Sequence, residues 1–147
     1  MRFAFVAFTL TGVIACGGGE EGSVPQIEPH VMQGRFTLSN AVDCKYGSLD
    51  FTADTEVTLR NEADEILAVS ALGSPETLEK SDGRPTCVFQ FELTDVPTAR
   101  FYTLKIQGRD GPTVPYDDLV ADDWRLCLHH SAFGPGLPFE RERPPYC

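Results

Sequence analysis

Four aspartates lie close together around one predicted turn, and carboxylates at this density are side chains that could bind a cation. They are Asp117, Asp118, Asp122 and Asp123, called here the acidic cluster. Hard cations such as Ca²⁺ are held by several oxygen ligands of a flexible loop, so calcium is one interpretation. The spacing lacks the glycine hinge and the distal glutamate of the EF-hand loop. The other interpretation is structural, with Asp118 or Asp122 capping a local turn.

The histidines do not form a recognisable catalytic set. His129 and His130 are adjacent on a predicted strand, where successive side chains point to opposite faces, so they cannot easily chelate one metal. The strand phase places His129 outward and His130 inward, and His30 falls in a predicted linker. The chain has no Gly-x-Ser-x-Gly elbow, no Ser-x-x-Lys motif and no phosphate-binding glycine loop. We therefore predict no catalytic residues, no resident metal and no cofactor.

Aromatic side chains near loops or strand ends are candidates for ligand contacts, because an exposed ring can stack on a sugar or a peptide. Tyr46, Tyr116 and Trp124 occupy such positions. Trp124 is in phase with the leucines of the strand that follows it, which favours burial in the core. The candidate binding residues are Tyr46, Tyr116, Asp117 and Asp118.

Four of the five cysteines lie in the body of the chain. An even number in an exported chain predicts two disulfides, for which three pairings are possible. Strand alternation places Cys87 on the core-facing side of its strand and Cys127 on the outward side. We therefore expect a buried Cys44–Cys87 disulfide and an outer Cys127–Cys147 disulfide. Reactive or metal-binding thiols are the alternative, and no Cys-x-x-Cys spacing supports them.

The remaining cysteine, Cys16, ends an apolar amino-terminal segment and precedes a glycine-rich stretch. The segment has the length of a signal-peptide core and is shorter than the roughly 20 residues that span a membrane. Val13-Ile14-Ala15-Cys16 resembles the lipobox of bacterial lipoproteins. That resemblance implies cleavage after Ala15, a diacylglycerol thioether on Cys16 and an acyl chain such as palmitate on the new amino group. A secretory signal peptide with a chance cysteine is the alternative.

The composition limits the partners. The chain has 12 basic and 22 acidic residues, which give a formal net charge of -10. Such a chain repels nucleic acid and anionic head groups, so no nucleic-acid partner is expected. Membrane contact is expected through the lipid anchor. Gly17, in place of an aspartate after the lipidated cysteine, favours the outer membrane if the host has two membranes.

The elements that must position these residues are short strands. Alternating or continuous apolar runs predict six of them, around residues 36–38, 56–60, 66–72, 87–93, 101–107 and 124–130. The segment 73–85 is predicted as a loop, 115–123 as an acidic stretch with at most one helical turn, and 131–147 as a tail without periodicity. This pattern predicts an all-β fold, a two-sheet antiparallel sandwich of about 6–7 strands.

Several runs of core and turn positions also carry a family resemblance: residues 34–38, Cys44, 57–60, 87–91, Val96-Pro97 and 101–104. They resemble a broad group of small exported bacterial domains with Ig-like or transthyretin-like sandwich folds, which often follow a lipobox. The resemblance covers about residues 34–131. It implies a Cys44–Cys87 disulfide and brings no assigned activity and no catalytic residues. Cys127, Cys147 and the proline-rich tail are additions to the pattern.

These features predict a lipid-anchored, non-enzymatic β-sandwich of the bacterial cell envelope that presents a binding surface to an envelope protein or polymer. We expect a signal peptide at 1–15, the lipidated cysteine and a flexible linker at 16–32, a sandwich domain at 33–131, and a proline-rich tail clipped by a disulfide at 132–147. Loops 40–55 and 108–123 are expected to carry the binding surface, because rigid scaffolds usually bind through loops. A small envelope hydrolase, a calcium-dependent binding module and a structural spacer are the alternatives.

Overall fold

The computed structural model of the protein describes residues 28–39, 44, 51–79, 85–131 and 139–142. In this part of the chain, nine strands form two sheets, and there is one short helix. The elements are β1 (His30–Ser39), β2 (Glu56–Arg60), β3 (Ile66–Ala71), β4 (Glu76–Glu79), β5 (Pro85–Val96), β6 (Phe101–Ile106), β7 (Arg109–Pro115), α1 (Tyr116–Ala121), β8 (Arg125–Ser131) and β9 (Glu140–Glu142). A five-stranded sheet has the order β4-β5-β1-β8-β9, and a four-stranded sheet has the order β3-β2-β6-β7.

The all-β, two-sheet fold predicted from the sequence is confirmed, but the prediction of wholly antiparallel pairing is wrong for one pair. β1 runs antiparallel to β5 and parallel to β8, with Gln33 opposite Arg125 and Ser39 opposite Ser131. A parallel pair needs a long crossover connection. Here the crossover includes the whole four-stranded sheet and α1, which delivers the chain back to the end where β1 begins.

Three strands lie where the sequence predicts none. β4 falls in the predicted loop, β7 covers residues 109–115, for which no strand is predicted, and β9 lies within the tail predicted to lack periodicity. All three are at the edges of their sheets, so fewer of their side chains are buried and their apolar alternation is weak. β7 also contains Pro112, a residue that sheets accept mainly in edge strands. β1 begins at His30, three residues inside the predicted linker.

The face of β1 toward the core shows how close the packing is. Met32, Phe36 and Leu38 are fully buried and alternate with outward residues. Gly34 belongs to the same face, and the ring of Phe91 lies directly over it. A Cβ atom at position 34 would be 1.8 Å from the Phe91 Cζ atom, so only glycine fits beneath this ring.

The predicted Cys44–Cys87 disulfide is present and buried, with a Cα–Cα distance of 5.3 Å. Cys127 alternates with two core leucines of β8 and takes part in a disulfide itself. The predicted partner Cys147 lies outside the described residues, as do Cys16 and Tyr46. No helix in the described part of the chain is long and apolar enough to cross a bilayer.

The two ends of the sandwich are formed by different connections and side chains. At the lower end, β1 begins beside the β2–β3 turn (61–65), the β5–β6 connection (97–100) and α1. At the upper end, β1 ends near the Cys44–Cys87 disulfide, Phe51 and the β6–β7 turn.

The described residues of the two loops expected to carry the binding surface lie only partly together. Phe51 and Arg109 meet at the upper end, with the guanidinium 5.4 Å from the ring centroid. Residues 116–123 lie at the lower end. The reason is that residues 109–115 form β7, which runs along the sheet for about 20 Å.

Candidate functional site

An open cleft of about 560 Å³ lies at the lower end, where three connections meet. The cleft, called here the lower cleft, is lined by Glu62, Thr98, Ala99, Arg100, Phe101, Pro115, Tyr116 and Asp117. Tyr116 and Asp117 are two of the four binding residues predicted from the sequence. The cleft is therefore the place where predicted site residues and further charged and aromatic side chains come together.

The β2–β3 turn holds Glu62 at the rim through hydrogen bonds of Asn61. The Asn61 Oδ1 atom accepts from the amides of Ala63 and Glu65, each at 2.9 Å, and its Nδ2 group donates to the Glu65 carboxylate at 2.7 Å. Asp64 has a positive φ of 60°, which aspartate tolerates better than most residues. The turn is thus fixed by its own side chains.

The β5–β6 connection is fixed from below by Tyr102. Its hydroxyl donates to the carbonyl of Pro97 at 3.1 Å and accepts from the amide of Ala99 at 2.8 Å. Burial raises the pKa of the Tyr102 phenol above 10.0, an effect opposed in part by the Ala99 hydrogen bond. The phenol therefore stays protonated and holds the segment that presents Arg100 and Phe101.

The third connection is α1, whose ends account for much of the acidic cluster. Asp117 and Asp118 occupy its first turn, where the helix dipole favours negative charge. Its carboxyl end has Schellman geometry, since the Trp124 amide donates to the Leu119 carbonyl at 2.8 Å and the Asp123 amide to the Val120 carbonyl at 3.2 Å. Asp123, with a φ of 54°, occupies the position where glycine is usual.

The four aspartates do not converge on a common point for a cation. Arg141 of β9 binds both Asp118, at 2.8 Å, and Asp122, at 2.6 Å. Asp123 lies 3.6 Å from the Arg125 guanidinium, and Asp117 faces the lower cleft. Among the described residues, no group of three or more His, Cys, Asp or Glu side chains is arranged to hold a metal.

Tyr116 is held by an aromatic cluster beside the cleft. Trp124 stacks on His30 with ring centroids 3.9 Å apart, and Tyr116 meets Trp124 edge-on at 5.9 Å. Trp124 is half-buried against the core and not within it, which corrects the expected burial. Its φ of 56° is unusual for a bulky residue, and hydrogen bonds with Leu119 and Gln33 hold it there.

The two adjacent histidines lie far from this cleft, near the upper end. His129 Nε2 is 3.0 Å from the hydroxyl of Ser39 and is half-buried. His130 is buried, with ring centroid distances of 5.2 Å to Phe139 and 5.8 Å to Phe51. They occupy opposite faces of β8, so they do not form one metal site.

The lower cleft brings aromatic and charged side chains together. It combines the rings of Phe101 and Tyr116 with the carboxylates of Glu62 and Asp117, and the Arg100 guanidinium lies 5.5 Å from the Phe101 ring centroid. Rings offer stacking surfaces, and the charged groups at the rim offer hydrogen bonds. Its described lining contains no histidine, cysteine, serine or lysine, and among the described residues no hydrogen bond joins Thr98 to Glu62 or Asp117.

Sequence reasoning did not identify Glu62, Arg100, Phe101 or His30 as site residues. The polar turn at 61–65 and the break at Pro97 were both visible as connections. Nothing in either pattern shows that these connections meet α1, because that depends on the strand order of the four-stranded sheet. Asp118, which was predicted as a binding residue, is instead held by Arg141 and is not part of the cleft lining.

Comparison of the chain with protein-family models, with curated proteins and with solved structures finds no match.

Proposed function

We propose that the protein is a non-enzymatic, lipid-anchored β-sandwich of the bacterial cell envelope that binds an envelope protein or polymer through the lower cleft. The observation that carries this proposal is the convergence of three fixed connections on one open cleft. Binding surfaces are commonly formed by connections held on a rigid scaffold. Outer-membrane attachment is favoured for a host with two membranes.

The tether supports a location near the membrane surface. The proposed lipid on Cys16 lies fourteen residues before His30, and a flexible coil of that length spans about 20 Å. His30 contacts Trp124 at the lower end, so the tether joins the domain on the side that carries the cleft. A partner that lies at the membrane surface is therefore within reach of the lower cleft.

We further propose an Ig-like or transthyretin-like fold with a second disulfide between Cys127 and Cys147. The hydroxyl of Tyr102 bonds to backbone upstream of its strand, an arrangement similar to the tyrosine corner of Ig-like sandwiches. The oxidised state of Cys127 supports the disulfide. Such a bond would clip the end of the tail beside β8.

The chemistry of the lower cleft favours a partner with apolar faces and hydrogen-bond donors, such as a saccharide or an extended peptide. Phe101 and Tyr116 can stack against such a partner, while Glu62 and Asp117 accept its donors. A calcium-dependent module is less favoured, because Arg141 already occupies two of the four carboxylates. A hydrolase is less favoured, because the described cleft lining brings no histidine together with its acidic residues.

Variant-dependent capture tests the binding surface. The full chain is used to recover partners from detergent-solubilised envelopes after crosslinking, in the wild type, in Tyr116→Ala and in Val69→Ala. Val69 is a matched control because it is 58% exposed on β3 and lies outside the cleft. We expect the specific partner to be lost only with Tyr116→Ala. Equal recovery by all three proteins, or no recovery above background by any, would count against the proposal.

The anchor is tested separately by the mass of the mature protein. We expect the loss of residues 1–15 and the gain of a diacylglyceryl group and one acyl chain on Cys16. The Cys16→Ser variant should lack both lipid additions. A mature chain that keeps its first methionine and a free thiol at position 16 would rule out the anchor.

A further inference from the structure

A second cleft, of about 350 Å³, lies on the outer face of the five-stranded sheet, away from the lower cleft. We call it the sheet cleft. Its polar lining comes from the four neighbouring strands β4, β5, β1 and β8. These strands contribute Glu76, Gln90, Gln33 with Arg35, and Arg125 respectively. Neither the acidic cluster nor the aromatic residues of the lower end belong to it.

The parallel pairing of β1 with β8 brings two arginines together here. Gln33 is opposite Arg125, and Arg35 is opposite Cys127, so Arg35 and Arg125 are diagonal neighbours on one face. Strand spacing and rise place the Cα atoms of such neighbours about 8 Å apart, which two arginine side chains span readily. Gln90 lies opposite Arg35 on the other side of β1 and extends the polar surface.

Arg35 lacks the partners that other basic residues of this acidic chain have. Arg60, Lys105 and Arg141 each form ion pairs with aspartates, and Arg125 forms a longer, exposed pair with Asp123 at 3.6 Å. The buried Nε atoms of Arg35 and Arg60 both lack a hydrogen-bond acceptor, but Arg60 pairs with Asp64 through its Nη1 atom, whereas Arg35 forms no ion pair among the described residues. Leaving a charged donor buried without an acceptor is costly, and the Nε–H group of the half-buried Arg35 is a donor that an anion in the cleft could satisfy.

We propose that the sheet cleft binds an oxyanion, a carboxylate or phosphate group of a ligand, between Arg35 and Arg125. The planar guanidinium fork suits both groups because it donates two parallel hydrogen bonds. The amides of Gln33 and Gln90 supply further donors at the rim. The negative charge of Glu76 repels an anion and lowers its affinity for the sheet cleft. Removing this charge should therefore tighten anion binding, whereas removing the charge of Arg35 should weaken it.

The test follows the arginine Nε–H signals of the oxidised full chain by NMR during titration with inorganic phosphate and with acetate at constant ionic strength. We expect a saturable shift of the Arg35 signal. Arg35→Gln, followed at the Arg125 signal, should weaken binding about tenfold or more, since hydrogen bonds to charged groups are among the stronger ones. Glu76→Gln should tighten binding. The matched charge controls Arg60→Gln and Glu65→Gln, both outside the sheet cleft, should change it little.

The outcomes separate the site from general charge effects. Shifts that do not saturate, or that are equal at all arginines, would show only screening and would overturn the proposal, as would equal effects of Glu76→Gln and Glu65→Gln. Vesicles that contain phosphatidylglycerol present the same phosphate on a surface. A response to soluble phosphate identifies a free ion as sufficient, and a response only to vesicles identifies a head group; either result retains an oxyanion site at Arg35.

Discussion

The two ends of the sandwich use the same class of side chain in opposite ways. At the upper end, the rings of Phe36, Phe51, Phe89 and Phe139 are at most 5% exposed and lie beside a disulfide. Phe36, Phe51 and Phe139 pack edge to face, and Phe89 is tilted against Phe36. At the lower end, the rings of Phe101 and Tyr116 are half-buried and line an open cleft. The upper-end rings thus form core, whereas at the lower end Tyr102 is buried and Phe101 and Tyr116 remain partly exposed.

Because of this difference, we expect the upper end to contribute mainly to stability and the lower end mainly to binding, although the same strands connect the two ends. Buried rings contribute through the apolar area that they remove from water. Half-buried rings keep an accessible face, so they add less to stability and can still contact a partner. We therefore expect variants at the upper end to unfold the protein and variants at the lower end to change what it binds.

The largest expected effect is at the upper end. Phe51→Ala removes a ring that is 1% exposed and touches Phe36, Phe139 and His130, so we expect a loss of about 3–5 kcal/mol in the free energy of unfolding. Urea denaturation of the oxidised chain measures it. The lower-end counterpart Tyr116→Ala should cost clearly less. If the two variants are equally destabilised, the two ends do not differ as described.

A smaller effect is expected where the lower end is tied to the core. Tyr102→Phe removes the hydroxyl that bonds to Pro97 and Ala99, and we expect a cost of about 1–2 kcal/mol at neutral pH. The pKa of Tyr102 is raised above 10.0 in the folded state, so its contribution is complete below pH 10 and is lost as the pH rises toward the folded value.

The pH dependence distinguishes this role from simple packing. The wild type should lose stability above pH 10 more steeply than Tyr102→Phe, as measured by urea midpoints between pH 8 and pH 11. Parallel curves for the two proteins would mean that the phenol is not perturbed by its burial. Thr98→Ala, at an exposed position of the same connection, serves as the control for loop changes in general.

The smallest expected effect has the opposite sign. Asp123 has a φ of 54° at the end of α1, and glycine adopts that conformation at no steric cost. Asp123→Gly should therefore stabilise the protein by about 0.5–1 kcal/mol, because its contact with Arg125 is exposed and worth little. Thermal unfolding measures the gain. A lower melting temperature would show that the Asp123 carboxylate has a role that the helix end does not explain.

The sequence was sufficient to predict the strands in which apolar and polar residues alternate. Strands such as β2, β5 and β6 have one buried face, so their period is visible, and the same phase identified the Cys44–Cys87 pair. The edge strands β4, β7 and β9 were missed, because an edge strand needs little apolar alternation to pair. The parallel pairing of β1 and β8 was missed because strand phase carries no information on direction.

The candidate site was only partly predictable for a related reason. Tyr116 and Asp117 stand out as an aromatic residue beside acidic ones, and both lie in the lining of the lower cleft. Nothing in the segments that contain Glu62 and Arg100 marks either residue as part of a site. They reach the lower cleft because β2 and β6 are neighbours and their connections end on the same side. Long-range strand pairing of this kind depends on segments that are far apart in the sequence, so no single segment predicts it.

Photocrosslinking from two exposed threonines tests the central claim most directly. A photoreactive residue is placed at Thr98, in the lower cleft, or at Thr52, near the upper end, in the full chain within intact envelopes. We predict a discrete crosslinked species from position 98 and none from position 52. A crosslink confined to position 52, or equal crosslinking from both positions, would contradict the assignment of binding to the lower end.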